Sequence, residues 1–87
     1  IAEIVGRLLR RLGDSRQVLC VTHLPQVAAQ AHQQLRVRKE TLDGQTYTRI
    51  ETLDPDARVD EIARMLGGTK ITARTRDHAC EMLGWAG

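Results

Sequence analysis

The chain has 87 residues, of which 41% are apolar and 28% charged, and its formal net charge is +2 at pH 7. This length allows one small domain or part of a larger one, and so short a chain is only marginally stable unless a partner covers some of its apolar surface. With no Phe, one Trp and one Tyr, the core must be aliphatic. The small and interleaved charge does not by itself indicate a nucleic-acid binder.

Neither an export signal nor a membrane span is visible in the sequence. Residues 1–12 follow a helical pattern rather than that of a signal peptide, and no apolar run approaches the roughly 20 residues that a bilayer requires. The two cysteines, Cys20 and Cys80, lie far apart and outside any ligand motif, which indicates buried thiols in a reducing compartment. We therefore expect a soluble cytoplasmic protein without a membrane partner.

Residues 1–12 predict an amphipathic helix. Apolar side chains recur at helical spacing, at Ile1, Ile4, Val5, Leu8, Leu9 and Leu12. Gly13 is a natural end for this helix. Because the chain does not begin with Met and starts within the pattern, we expect further sequence upstream.

Residues 17–22 predict a strand that is buried on both faces, as is typical of parallel sheets covered by helices. Pro25 suits the first turn of a helix, which Val27, Ala28 and Ala31 continue. The order helix, buried strand, helix indicates an α/β fold.

Two alternating segments around Asp43-Gly44 predict a β-hairpin. With these two residues as the loop, Val37 faces Ile50 and Leu35 faces Thr52 on one side of the sheet. Arg36 then faces Glu51 on the other side, and this apolar and opposite-charge pairing supports the register. The same register places Arg38 opposite Arg49.

Two helices are predicted after the hairpin. Asp54 offers an N-cap for the first, in which Asp60 and Arg64 are spaced for an i, i+4 ion pair, and Gly67-Gly68 ends it. Its apolar stripe consists of Val59, Ile62, Ala63 and Leu66. Thr72 caps the second helix, whose inner face consists of Thr75, Ala79, Met82 and Leu83.

His23 is the most informative polar position. It follows the predicted buried strand, and ligands of open α/β sheets bind at the carboxyl ends of such strands. An imidazole there could donate a hydrogen bond to a phosphate or orient a water molecule. A capping or packing histidine at a strand end is the alternative that position alone leaves open.

The run Val18-Leu19-Cys20-Val21-Thr22-His23-Leu24-Pro25-Gln26-Val27-Ala28-Ala29 resembles the switch-histidine region of the RecN family, in the SMC-like branch of the ABC ATPases. The runs Glu61-Ile62-Ala63-Arg64-Met65-Leu66-Gly67-Gly68 and Ile71-Thr72, followed by Thr75, His78-Ala79 and Glu81-Met82-Leu83, resemble the same family. The likeness covers nearly the whole chain in order and spacing. A Thr-His after an apolar strand is common among ABC ATPases, whereas the longer runs are more specific.

The resemblance implies a function in DNA double-strand break repair and recombination, in a bacterial protein of the cytoplasm and nucleoid. In this family two heads sandwich two ATP molecules with Mg²⁺, and the switch histidine contacts the γ-phosphate and helps to orient the attacking water. Only His23 carries over, as the catalytic residue. The implied partners are the rest of its own head, a second head and DNA.

The family's other motifs are missing from the sequence. It contains no Gly-rich phosphate loop, no strand ending in Asp-Glu, no signature motif and no coiled-coil arms. The resemblance therefore implies a partial domain: residues 1–87 as the C-terminal lobe of a P-loop NTPase head, starting after the magnesium-binding strand. Because phosphoryl transfer needs a phosphate cradle and a metal, we expect the chain alone neither to bind nor to hydrolyse ATP.

The incomplete domain also has unpaired strand edges. A buried strand over residues 17–22 needs a neighbouring strand on each of its edges, so we expect the isolated chain to form a dimer or a larger assembly. An interaction or dimerisation module of another SMC-like or ABC ATPase is the alternative function.

The remaining candidates have ordinary explanations. We expect His32 to be exposed or capping and His78 to pack or hydrogen-bond beside an apolar face, and neither has metal-ligand spacing. Gln26 either assists His23 or lies on an exposed helix face. The set Arg36, Arg38 and Arg49 is either a solvated surface or a strip that contacts DNA phosphate.

Overall fold

The computed structural model describes residues 1–67 and 70–84 as a small α/β unit with a two-stranded antiparallel sheet. The elements, in chain order, are α1 (Ala2–Gly13), α2 (Pro25–Ala28), β1 (Leu35–Leu42), β2 (Gln45–Thr52), α3 (Pro55–Gly67) and α4 (Ala73–Gly84). Within these residues no helix is both long and apolar enough to cross a membrane.

The hairpin has the predicted register. Val37 pairs with Ile50, and Arg36 pairs with Glu51. The loop residues Asp43 and Gly44 have φ angles of 51° and 77°, the left-handed backbone that a two-residue hairpin loop of this twist requires. The turn chemistry and the period-two pattern together were therefore enough to determine this element.

The core lies between α3 and α4, where they meet the residue that follows α2. Its fully buried members are all aliphatic or thioether side chains: Ala29, Ile62, Ala63, Ala79 and Met82.

Both predicted N-caps are confirmed. Oδ1 of Asp54 accepts the Ala57 N–H at 2.8 Å, and Oγ1 of Thr72 accepts the Thr75 N–H at 3.2 Å.

Helix α1 packs across α2 through a glycine. A Cβ on Gly6 would lie 2.9 Å from Cγ of Gln30, 3.0 Å from the carbonyl oxygen of Gln26 and 3.2 Å from Cα of Val27. This approach leaves no room for a side chain, so Gly6 sets the distance between the two helices.

The predicted strand over residues 17–22 is wrong. All six residues are described, none belongs to a strand, and the side chains of Leu19 and Val21 are 81% and 95% exposed. A buried strand needs main-chain partners, and in the described part of the chain β1 and β2 pair only with each other.

The prediction that both thiols are buried is also wrong. Cys20, in the segment 17–22, and Cys80, on α4, are both exposed.

The prediction of an ion pair between Asp60 and Arg64 is also wrong. Arg64 instead bonds to Glu61, and Asp60 pairs with Arg76 of α4. The tertiary approach of α4 thus replaces a pairing within α3 by one between helices. The predicted end of α3 is confirmed at Gly67, while Gly68 lies outside the described residues.

The apolar stripe of α1 has the predicted positions but faces solvent for much of its length. Its exposed members are Ile1, Ile4, Val5, Leu8 and Leu12. The apolar pair of the hairpin is exposed too, with Val37 at 67% and Ile50 at 69%. Exposed apolar areas of this kind are typical of surfaces that another part of a protein covers.

Replacing Gly6 by Val should destabilise the chain by about 1–3 kcal/mol, because the side chain has to push α1 away from α2. The matched control is Gly84→Val in α4, where a Cβ meets no described atom within 4 Å and the free energy of unfolding should change by roughly 0.5 kcal/mol or less. Urea denaturation followed by circular dichroism measures both. Equal effects at the two positions would contradict the packing through Gly6.

Candidate functional site

His23 lies on the surface between the irregular segment 17–22 and helix α2. The Oγ1 of Thr22 accepts the Leu24 N–H at 3.0 Å, which fixes the backbone on either side of the histidine. Leu24 has extended dihedral angles, φ −97° and ψ 116°, and the helix begins at the next residue, Pro25. The imidazole is exposed, so it is free to meet a group outside this chain.

The segment after His23 is a short rigid helix. The Leu24 carbonyl accepts the N–H groups of Val27 at 3.1 Å and Ala28 at 3.0 Å, and the Ala31 N–H reaches the Ala28 carbonyl at 3.2 Å. Main-chain hydrogen bonds therefore run without a gap from residue 24 to residue 31. A four-residue helix is not stable by propensity alone, so tertiary contacts must hold it.

Arg58 of α3 supplies the main contact at the far end of α2. Its Nη2 donates to the carbonyl oxygen of Ala31 at 2.6 Å and to those of Ala28 and Ala29 at 3.2 Å. Its Nε donates to Oε1 of Gln34 at 3.1 Å. We call this set of contacts the Arg58 clamp. It ties the carbonyl end of α2 to α3 and so to the core.

A second arginine binds the remaining carbonyl of this run, that of Gln30. The Nη1 of Arg10 in α1 donates to the carbonyl oxygen of Gln30 at 2.8 Å. Carbonyl groups at a helix C-terminus carry partial negative charge and attract cations. Two guanidinium groups from two different helices therefore satisfy four consecutive carbonyls, those of residues 28–31.

The Arg58 clamp is partly buried. Burial of the guanidinium, and after it the proximity of Arg10, lower the pKa of Arg58 below its usual value. An arginine nevertheless keeps its proton in a protein, so the clamp carries a positive charge at all ordinary pH values.

Sequence reasoning missed Arg58. The carbonyls that it binds lie 27 to 30 positions earlier in the chain, beyond any helical or strand periodicity. Its acceptors are also main-chain carbonyl groups, which every residue has, so the residue types at these positions do not reveal them. No local signal could have marked this residue.

The other two histidines lie apart from any catalytic arrangement. Nε2 of His32 bonds to Oδ1 of Asp14 at 2.8 Å and the ring is exposed, as predicted. His78 is exposed on α4, so the prediction that it packs is wrong. Among residues 1–67 and 70–84 no three His, Cys, Asp or Glu side chains converge as a metal site would need.

Gln26 does not lie on an exposed helix face, one of its two predicted positions, because the residue is half-buried. Its Oε1 is buried without a hydrogen-bond partner among the described residues, and the same holds for Nε2 of Gln30 one turn later. The main-chain oxygen of Gln26 and Cγ of Gln30 lie at the contact between α1 and α2, next to Gly6. The position of Gln26 therefore belongs to this helix contact, with no described hydrogen bond to His23.

The three hairpin arginines are paired rather than free. Arg36 and Arg38 each lie 2.7 Å from a carboxylate oxygen of Glu51, and Arg49 pairs with Glu40. Carboxylates thus compensate the two like charges that face each other across the strands at positions 38 and 49. Arg36 also approaches Glu61 at 3.8 Å, which links the hairpin to α3.

These contacts shift the ionisation of Glu51. The hydrogen bond from Arg36, assisted by the charges of Arg38 and Arg49, holds the pKa of Glu51 below its usual value despite some opposing desolvation. The same hydrogen bond raises the pKa of Arg36.

A groove of about 420 Å³ lies between the end of the α2 region, the hairpin and α4. Its lining includes His32, Arg58 and Cys80 together with apolar side chains. His23 is absent from this lining, so the groove and the histidine are separate features of the surface.

Comparisons with known proteins agree on one kind of relative. The chain is 55% identical over 82 residues to DNA repair protein RecN of Vibrio cholerae, a match that covers 94% of the chain and 15% of that protein. It is 54% identical over 83 residues to the RecN of Xylella fastidiosa, with 95% of the chain and 15% of that protein covered. The RecN of Bacillus subtilis is 42% identical over 83 residues, with 95% and 14% covered.

The chain belongs to the RecN family. It spans about 15% of the length of the RecN proteins that it matches, so it corresponds to one segment of them. The resemblance read from residues 18–29 and 61–83 is thereby confirmed, since the matches cover nearly the entire chain. No model of a known protein family matches.

The ion pairs of Glu51 predict a pH dependence of stability for this RecN segment. Because the folded-state pKa is lowered from 4.5, the stabilisation is complete above pH 4.5 and is lost as the pH falls through the folded-state value. Glu51→Gln should therefore reduce the free energy of unfolding at neutral pH, and the difference from wild type should shrink in acid.

Denaturant titrations at a series of pH values measure this difference. Glu81→Gln is the control, since Glu81 is exposed and takes part in none of the ion pairs found among the described residues. A Glu51→Gln deficit that stays constant down to the lowest pH would contradict the ion-pair assignment.

Proposed function

We propose that this segment is part of the ATP-hydrolysing head of a RecN-like protein that acts in DNA double-strand break repair and recombination. His23 is its switch histidine. The observation that carries the proposal is the match to proteins named DNA repair protein RecN over 94% of the chain, including the Thr22-His23-Leu24-Pro25 run. The exposed position of His23 directly after the apolar segment 17–22 supports it.

His23 would act on the γ-phosphate of ATP bound in the intact head. Its imidazole can donate a hydrogen bond to a phosphate oxygen and hold the attacking water in line, contributions that grow as charge develops in the transition state. Mg²⁺ supplies charge neutralisation when bound. The residues described here hold no cluster suited to a metal, so its ligands and the phosphate cradle would come from elsewhere in the head.

Exposed apolar surfaces support the proposal that this lobe is completed by other parts of the protein. The stripe of α1, the segment 17–22 and the apolar face of the hairpin all present large aliphatic side chains to solvent. In the intact protein, we propose, the rest of the head covers them in a P-loop NTPase fold, and a second head and DNA are further partners. From the match to proteins named DNA repair protein RecN, we propose a location in the bacterial cytoplasm, at the nucleoid.

The test is ATP turnover by the full-length protein that contains this segment. His23→Ala should lower kcat about tenfold or more in the presence of DNA, because an interaction made mainly in the transition state is lost. His78→Ala is the matched control, since it removes an equally exposed histidine on α4 and should leave turnover within about twofold.

Thermal unfolding of both variants verifies that the fold is retained. Wild-type turnover by a folded His23→Ala protein would overturn the assignment of His23 and leave the RecN match as a statement about ancestry alone.

An interaction or dimerisation module is the second candidate function, and the same exposed aliphatic side chains favour it. The isolated chain should self-associate at micromolar concentrations, because burying such surfaces between copies is favourable. Sedimentation equilibrium should give a mass that rises with concentration for wild type and less steeply for Leu8→Lys. Arg7→Gln, on the adjacent α1 position, is the control. A monomeric mass at all concentrations would count against this assembly.

A further inference from the structure

We propose that Arg58 is a positioning residue for His23. This inference rests on the proposed function of His23 and assigns to Arg58 the task of holding the helix on which the orientation of His23 depends. Arg10 assists through its hydrogen bond to the Gln30 carbonyl.

The geometry connects the two residues through a continuous set of hydrogen bonds. Oγ1 of Thr22 accepts the Leu24 N–H, and the Leu24 carbonyl accepts the N–H groups of Val27 and Ala28, the last two residues of α2. At the other end of this helix, the Arg58 clamp holds three carbonyls. His23 is thus at one end of a short rigid unit that Arg58 anchors at its other end.

The other anchors of the unit are the packing of α1 at Gly6, the hydrogen bond from Arg10 to the Gln30 carbonyl and the burial of apolar side chains. Helix α2 has four residues and no side-chain cap at its start, so its own hydrogen bonds do not stabilise it against fraying. Val27 and Ala29 bury apolar side chains, but apolar contacts are not directional and allow the helix to rotate. The Arg58 clamp is directional, because a planar guanidinium fixes the relative positions of the acceptors that it binds.

The chemistry favours arginine specifically at this position. The Arg58 side chain reaches four acceptors, three main-chain carbonyls through Nη2 and Oε1 of Gln34 through Nε. A lysine ammonium has three donors on one atom and no fork, so it cannot reproduce the contacts on both sides. An apolar side chain of similar length fills the space but leaves the carbonyls of Ala29 and Ala31 without the Arg58 donor, although the Ala28 carbonyl still accepts the Ala31 N–H.

Loss of the clamp should affect the chemical step more than the binding of ATP. A switch histidine contributes to the transition state, whereas most ATP binding comes from the phosphate cradle and the metal. A His23 side chain that samples several orientations therefore lowers kcat and leaves KM nearly unchanged. A purely structural role for Arg58 would lower turnover independently of His23.

The experiment is a double-mutant cycle on ATP turnover in the full-length protein that contains this segment. The variants are Arg58→Met, Arg58→Lys, His23→Ala and the two combinations with His23→Ala. Arg58→Met should lower kcat about fivefold or more with KM within about twofold, and it should cause no further loss when His23 is already absent. The kcat of Arg58→Lys should lie between those of wild type and Arg58→Met.

Arg64→Met is the matched control. It removes an arginine from the same helix, one that bonds to Glu61 and not to α2, and kcat should stay within about twofold of wild type. Hydrogen–deuterium exchange adds a readout without turnover. Peptides that cover residues 23–31 should exchange faster in Arg58→Met, while those of the hairpin, residues 35–52, should keep the wild-type rate.

The possible results separate the two hypotheses. If Arg58→Met lowers kcat by the same factor with and without His23, or has no effect, Arg58 is not a positioning residue and the proposed role of His23 stands. If His23→Ala itself leaves turnover unchanged, the proposed function fails and this inference fails with it. Should Arg58→Met not fold, the cycle with Arg58→Lys decides by the same criterion.

Discussion

The structure depends most on the bonds between one arginine and the end of one short helix. Arg58 belongs to α3, whose Ile62 and Ala63 lie in the core, and its side chain binds carbonyls that follow α2. Without a donor these carbonyls would be partly buried and unsatisfied, which is costly in a chain with so small a core. Through this contact the well-packed half of the molecule, α3 and α4, determines where the polypeptide around His23 lies.

The limited burial of apolar surface is the second constraint. Among residues 1–67 and 70–84 the fully buried core consists of five residues, three of which are alanines, while longer aliphatic side chains on α1, on segment 17–22 and on the hairpin face solvent. A domain of this length buries a small share of its surface even in favourable cases. The arrangement is consistent with a segment that spans about 15% of the length of its RecN relatives.

Charge is distributed so that it stabilises contacts between elements. Arginines bind carboxylates across the hairpin, between the hairpin and α3, and between α3 and α4. Most of these pairs are exposed to solvent and add little stability individually. The buried contact of Arg58 differs because its partners are neutral carbonyls. The positive charges of Arg10 and Arg58 therefore lie next to the carbonyls of residues 28–31, at the C-terminal end of α2. The positive charges of the hairpin arginines, by contrast, are compensated by carboxylates.

The sequence by itself determined the local elements. Helical spacing predicted α1, α3 and α4, the Asp43-Gly44 turn with alternating residues predicted the hairpin register, and Asp54 and Thr72 predicted the caps. All of these depend on residues a few positions apart. The tertiary structure alone decided that segment 17–22 forms no strand, that Asp60 pairs with Arg76, and that Arg58 holds α2. The physical reason is that burial, strand pairing and long-range hydrogen bonds require a partner whose position no local pattern encodes.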